Sequence, residues 1–241
     1  MEEMRIQKYL SEQGIMSRRS AEDAIKRGKV IINGSRAVIG QKIVPEIDEI
    51  IVDGIMLTQN KKNKKIYIML YKPAGIVTTM SDEQGRQCVS DIIDKEEVEE
   101  RVYPVGRLDM YSEGLLILTN DGEIANKLMH PKHEINKIYH AIIKSELNAD
   151  IIKELEEPIE IEGRMTTPAK VSVIEQKNGK TKLKIEIFEG RNRQIRRMCE
   201  NLNLNILKLK RVCVGKLNIG TLKPGQWRYL NRNEINYLKE L

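Results

Sequence analysis

Lys182-Leu-Lys-Ile-Glu-Ile187 leads through Phe188-Glu-Gly190 into Arg191-Asn-Arg-Gln-Ile-Arg-Arg-Met-Cys199. The first six residues alternate. Leu183, Ile185 and Ile187 share one face and Lys182, Lys184 and Glu186 the other, the period of a strand with one buried side. After Gly190 the period lengthens. Steps of about 100° over residues 193–202 gather Ile195, Met198, Cys199 and Leu202 on one side of a helix and Arg193, Arg196 and Arg197 on the opposite side. Such a strand followed at once by such a helix predicts a sheet with helices packed on it. Outward from here, strand patterns fall at 66–71, 114–118, 139–143 and 171–174, and helical ones at 124–129, 151–155 and 234–241. Their irregular interleaving predicts an α+β domain around a mixed or antiparallel sheet. No strand runs into a GxGxxG or phosphate loop, which disfavours a doubly wound fold.

The first 44 residues form a different pattern. Ile6, Tyr9 and Leu10 sit at helical spacing before Gly14, and Ser17 is a candidate N-cap for a second helix carrying Ala21, Ala24 and Ile25. Gly28 closes that helix. Lys29-Val-Ile-Ile32, Asn33-Gly34 and Arg36-Ala-Val38 then read as strand, tight turn and return. Residues 59–65, Gln-Asn-Lys-Lys-Asn-Lys-Lys, are polar and aperiodic and mark a linker. The expected organisation is a small helix–hairpin domain over 1–60, a linker at 61–65 and a larger domain over 66–241.

The 241 residues carry 41 Lys and Arg against 35 Asp and Glu, a net charge of +6. Its distribution says more than its size. Residues 1–44 hold nine basic and five acidic side chains, and residues 178–216 hold eleven against three. Two basic regions fit a polyanionic partner, because phosphate contacts dominate nucleic-acid affinity; ordinary solvated surface is the alternative. The longest apolar run, 66–71, is strand-sized, far below the roughly 18 residues of a membrane helix, and the N-terminus lacks a secretory pattern. Cys88, Cys199 and Cys213 are odd in number without CxxC spacing, so neither a disulfide framework nor a zinc site is expected. A soluble, cytoplasmic protein without metal or cofactor is the expectation.

Two places could carry chemistry. Val105-Gly-Arg-Leu-Asp109 ends a strand, and Asp109 lies on the loop before the apolar 115–118, either reaching a cleft or serving as a turn residue. The arginine helix could hold phosphates or pair with a carboxylate, or simply face solvent. His130-Pro-Lys-His133 lacks the partners of a metal site. One Phe and one Trp are too few for a stacking platform that binds single strands.

Gly106-Arg-Leu-Asp109 with Ser112-Glu-Gly-Leu-Leu-Ile-Leu-Thr-Asn-Asp-Gly122 resembles the catalytic motif of pseudouridine synthases of the RsuA type. Lys137-Ile-Tyr139 resembles their KxY motif, residues 189–198 their arginine signature, and Tyr71-Lys-Pro-Ala-Gly75 their KPxG strand end. Residues 4–44, through Arg5, Ser17-Arg18-Arg19, Gly28-Lys29-Val30 and Asn33-Gly34, resemble an RNA-binding module shared with a small-subunit ribosomal protein and tyrosyl-tRNA synthetases. Asn136 departs from the acidic residue often found before KxY.

The resemblance implies a catalytic domain with a central cleft that isomerises uridine in RNA, a redox-neutral reaction needing no cofactor. It implies Asp109 as the catalytic carboxylate, attacking C1′ or C6 or acting as a base. Arg196 would be its cationic partner, and Tyr139 the ring that stacks on uracil. Arg107 would fill the space left by the extruded nucleotide. Arg5, Arg18, Arg19, Lys29, Arg191, Arg193 and Arg197 would contact RNA. The implied partner is ribosomal RNA or an assembly intermediate, bound by a monomer. The large-subunit RNA is favoured by the form of residues 191–198 and 129–133, with small-subunit RNA as the alternative. A non-catalytic ribosome-binding factor would have lost Asp109, Tyr139 or Arg196, and all three are present.

Overall fold

The computed structural model describes residues 3–57, 64–93 and 96–241. The chain divides into two compact units, one running to Ile66 and including Glu99–Arg101, the other made of Tyr67–Val98 and Val102–Leu241. Of the linker expected at 61–65, residues 61–63 lie outside the described residues, as do 59 and 60 of the same polar stretch.

In the first unit, β1 (Met4–Arg5) precedes α1 (Ile6–Glu12) and α2 (Arg18–Lys26). Ser17 caps α2, its Oγ accepting from Ser20 N–H at 3.0 Å. Ile6, Tyr9 and Leu10 of α1 pack with Ala21, Ala24 and Ile25 of α2. Asn33 and Gly34, both at positive φ (50° and 76°), turn β2 (Val30–Ile32) into β3 (Ser35–Arg36), the geometry a two-residue hairpin requires. The unit extends past residue 44, where the sequence pattern fades. β4 (Lys42–Ile43) returns to pair with β1, and β5 (Ile50–Val52) with β6 (Ile55–Met56) forms a second hairpin. Sheet order is β3-β2-β5-β6. β5 is needed because Val30 and Ile32 are buried and find their cover beside Ile50 and Val52.

The second unit runs β7 (Tyr67–Lys72), β8 (Tyr103–Val105), β9 (Glu113–Thr119), α3 (Gly122–Met129), β10 (Lys137–Ile143) and α4 (Ala149–Glu154). It continues with β11 (Glu160–Ile161), β12 (Arg164–Met165), β13 (Lys170–Lys177), β14 (Lys180–Ile187) and α5 (Gln194–Asn201). β15 (Ile206–Val214), β16 (Leu217–Asn218), β17 (Trp227–Tyr229) and α6 (Arg232–Glu240) complete it. The main sheet has nine strands in the order β13-β14-β10-β15-β9-β7-β17, with β16 beside β15 and β8 beside β9. β15 and β9 pair in parallel and their neighbours pair antiparallel, so the sheet is mixed.

Two cores flank this seam. One joins Met69 of β7 and Leu115 of β9 to Leu128 of α3 and Leu238 of α6. The other joins Ala141, Leu183 and Ile185 to Ile195, Met198 and Cys199 of α5. The alternation of Leu183, Ile185 and Ile187 thus meets the apolar back of the arginine helix, as their periods predict. Burial among these side chains pushes the Cys199 thiol up to about 12, so it stays protonated. The seam itself is short, Lys210 opposite Glu113 and Arg211 opposite Gly114. It depends on glycine: φ at Gly114 is +107°, and a Cβ there would lie 2.2 Å from the Arg211 carbonyl oxygen.

Candidate active site

A cleft of about 1150 Å³ lies in the second unit, lined by Asp109, Tyr139, Arg196 and Arg211 among others. Its carboxylate stands on the loop between β8 and β9. Leu108 anchors that loop in the core at 5% exposure, and the Thr78 hydroxyl grips it twice. Thr78 Oγ1 donates to Leu108 O at 2.7 Å and accepts from Leu108 N–H at 3.2 Å. Ser112 N–H closes a turn onto Asp109 O at 3.0 Å, and Gly75 N–H reaches Met110 O at 2.8 Å. A loop held on both sides keeps the Asp109 side chain at the cleft surface, about one-third exposed (34%).

Opposite stands Arg196 of α5, its Nε 3.9 Å from Asp109 Oδ2. Its Nη2 donates to Tyr111 O (3.0 Å) and Ser112 Oγ (3.2 Å), which ties the helix to the Asp109 loop. Arg196 Nε is buried and has no hydrogen-bond acceptor among the described residues. The pair is therefore an ion pair at long range, with a spare donor beside the carboxylate. Tyr139 of β10 is 8% exposed and contributes to the cleft wall.

Arg107, Arg191 and Arg193 line the same cleft, but their guanidinium groups are not equally available. Arg107 is exposed. Arg191 clasps the β11–β12 hairpin, donating to Arg164 O and Met165 O at 2.7 Å each, and its Nε reaches Glu189 at 2.8 Å. Arg193 differs from expectation. It is the N-cap of α5 in left-handed conformation (φ 53°), so the helix starts at Gln194 and Arg193 does not share a helical face with Arg196 and Arg197. The cause is local: Gln194 Oε1 accepts from Arg191 N–H at 3.1 Å and forces the turn, and Arg193 pairs instead with Glu200 at 2.8 Å. Arg197 is half-buried, its Nη2 3.5 Å from Asn192 Oδ1. In the first unit Arg5, Arg18 and Arg19 are exposed, and Lys29 pairs with Asp53 at 2.7 Å. Asn136, the departure before KxY, bridges strands: its Nδ2 donates to Glu186 at 2.7 Å.

Lys72 drew no role from the residues alone because a lysine after an apolar run reads as the exposed end of a strand. It is fully buried. Its ammonium donates to Pro73 O (2.8 Å), Ile76 O (2.7 Å) and Met110 O (3.3 Å), joining the end of β7 to the Asp109 loop. Burial pulls its pKa down to about 8, against the pull of Asp109 and Glu113, with Arg211 adding to the depression. Lys137 is also drawn down to about 8, by burial first and by Arg211 second, with Glu189 opposing.

Residues 66–201 match the RNA pseudouridylate synthase family, and residues 4–50 match the S4 domain. The chain belongs to the RNA pseudouridylate synthase family and is an enzyme of that kind. Ribosomal large subunit pseudouridine synthase B of Bacillus subtilis is 40% identical over 240 residues, covering 98% of this chain and 96% of the relative. A dual-specificity RNA pseudouridine synthase of Escherichia coli is 34% identical over 232 residues, covering 96% and 77%. A crystal structure of a pseudouridylate synthase superposes with a TM-score of 0.69 at 28% identity, over 98% of this chain and 99% of that one.

Proposed function

We propose that this enzyme isomerises a uridine of ribosomal RNA, in the large subunit, with Asp109 as the catalytic carboxylate. The observation that carries the reading is the carboxylate 3.9 Å from a half-buried arginine in a cleft that also presents a tyrosine. Arg196 sets a cation beside the Asp109 carboxylate, which stands ready to act as nucleophile or base. The N1–C1′ bond breaks, the base turns on Tyr139, and C5 bonds to C1′. C5 then gives up its proton and N1 gains one, so the atoms balance and no electrons leave. Arg107, exposed beside Asp109, enters the space vacated by the extruded nucleotide.

Charge supports an RNA substrate. Seven Lys and Arg side chains line the cleft against three carboxylates. In the S4 unit, exposed Arg5, Arg18 and Arg19, with Lys29, supply phosphate contacts that carry affinity more than sequence choice. The large-subunit assignment rests on the name of the Bacillus relative and on the form of residues 129–133 and 191–198. Small-subunit RNA is the second reading, and the dual specificity named for the Escherichia relative makes a second target worth testing. The protein acts as a cytoplasmic monomer on free RNA or on an assembly particle.

The test incubates separate large- and small-subunit transcripts with the protein and maps carbodiimide-dependent primer-extension stops, with Asp109→Ala as control. A new stop in large-subunit RNA that the variant lacks is expected. A stop confined to small-subunit RNA would overturn the substrate assignment.

A further inference from the structure

Arg211 is 5% exposed, yet its guanidinium is largely uncommitted. Nε donates to Leu115 O at 2.8 Å, while the two terminal nitrogens find no acceptor among the described residues. The side chain belongs to the cleft lining, and its residue lies directly across from Tyr139 in the β10–β15 ladder. The backbone beneath it is immobilised where β15 abuts Gly114. Its neighbours aggravate the surplus of charge. Lys72 and Lys137 are both close enough for Arg211 to disfavour their charged forms. The ammonium of Lys72 is spent on three carbonyls, and the Lys137 ammonium donates to Ile135 O at 2.7 Å. What is left is a rigid fork of donors without an acceptor, beside an aromatic ring on the cleft wall.

We propose that Arg211 recognises the uracil base: its free donors take O4 of the extruded base. They also hold the negative charge that gathers on uracil as the N1–C1′ bond opens. This rests on the reading of the Asp109 cleft as the active site.

Depth favours the base over the RNA backbone. A phosphodiester would have to follow its base into the cleft to meet a side chain this buried, whereas a base turned out of its stack arrives there unaided. Donor chemistry then selects the base. Uracil presents the O4 acceptor where cytosine presents an amino group, so cytosine would set donor against donor in a buried site. Because the fork is fixed before substrate binds, its contact can strengthen as charge develops, the condition for acting on rate as well as on binding.

The experiment uses total RNA labelled with [5-³H]uridine in cells lacking the enzyme, so that the outcome is independent of which RNA is the target. Loss of the C5 proton releases tritium. Single-turnover release at saturating enzyme and RNA affinity by filter binding are measured for wild type, Asp109→Ala, Arg211→Met and Arg211→Lys. Arg211→Met should lose about 100-fold or more in saturated rate with affinity within about twofold, and Arg211→Lys should fall between it and wild type. Weakened affinity with the saturated rate kept would assign Arg211 to the backbone and overturn the proposal, as would unchanged rate and affinity. If melting curves show that Arg211→Met does not fold, the Lys variant is compared with wild type on RNA carrying 4-thiouridine at the mapped target. An equal slowing of both by sulfur would then overturn it. Release by Asp109→Ala at the wild-type rate would refute the active-site reading instead, a separate result.

Discussion

Asp109 and Asn differ by charge and hardly in shape, and the loop that presents residue 109 is held by Thr78, Ser112 and Gly75 through backbone atoms. On the proposed mechanism Asp109→Asn should therefore abolish turnover while RNA affinity stays within about twofold, since there the negative charge serves the reaction and not the hold on RNA. Single-turnover assays beside filter binding would show it, and wild-type turnover in the variant would remove Asp109 from the chemistry. Lys72 gives a prediction of the opposite kind. Lys72→Met takes the ammonium donor from three part-buried carbonyls, of which, among the described residues, only Met110 O keeps another donor, Gly75 N–H, and should cost about 2–4 kcal/mol. The sign of its pH dependence follows from a folded pKa of about 8 against 10.5. Below pH 8 folded and unfolded chains both hold the proton. Between about 8 and 10.5 the unfolded chain holds more, so this lysine makes wild-type stability rise with pH in that window. Melting curves at pH 7 and pH 9.5 should show a smaller gain in Lys72→Met than in wild type, the remainder coming from Lys137, which is drawn down in the same way.

Elements bring these residues together at two joints. At the β9–β15 seam, Gly114→Ala would drive a Cβ into the Arg211 carbonyl and strain a positive φ as well. A loss of about 3 kcal/mol or more is expected, seen as a melting temperature lower by roughly 6–12 °C for a domain of this size. At the start of α2 the cost is smaller. Ser17→Ala removes the cap that Ser20 N–H uses and should destabilise the first unit by about 1 kcal/mol in a urea titration. The arginine helix shows how far an element can be read from its residues. Ile195, Met198 and Cys199 at helical spacing required a buried back, and they have one. That Arg193 drops out of the helix depended on the Gln194 side chain accepting from Arg191 N–H, an interaction that periodicity does not encode.

At the scale of the molecule, the two units have separate cores, and on the proposed function they divide the tasks. Removing residues 1–60 should weaken RNA binding and make its salt dependence shallower, because the cations of the S4 unit no longer reach phosphates. Asp109-dependent turnover should survive at excess RNA. Filter binding across a salt series measures the first, and an unchanged apparent affinity would contradict it. The basic stretch 178–216 does not form one surface. His140 stands in register with Lys184 and Lys210, and Ile142 with Lys182 and Lys208, on the sheet face opposite Tyr139 and Leu183. Burial first, and then Lys182, Lys210 and Lys184, hold the His140 pKa below its ordinary value. Arg211 alternates onto the other face and enters the cleft.

The residues by themselves determined the hairpin turn at Asn33-Gly34, the Ser17 cap, the alternating strand and the apolar back of the arginine helix. Each follows from dihedral preference or periodicity over a few neighbours. Motif spacing also placed Asp109, Tyr139 and Arg196 within one domain. Tertiary structure decided the rest. β15 drew no strand assignment although it sits at the centre of the sheet, because its cations dilute the apolar pattern and its partners lie about 70 and 95 residues away. Whether Lys72 ends a strand or fills a core, and whether Arg211 meets solvent or a substrate, depends on carbonyls and rings brought from distant elements. Burial and pairing belong to the packed chain, so local sequence cannot carry them.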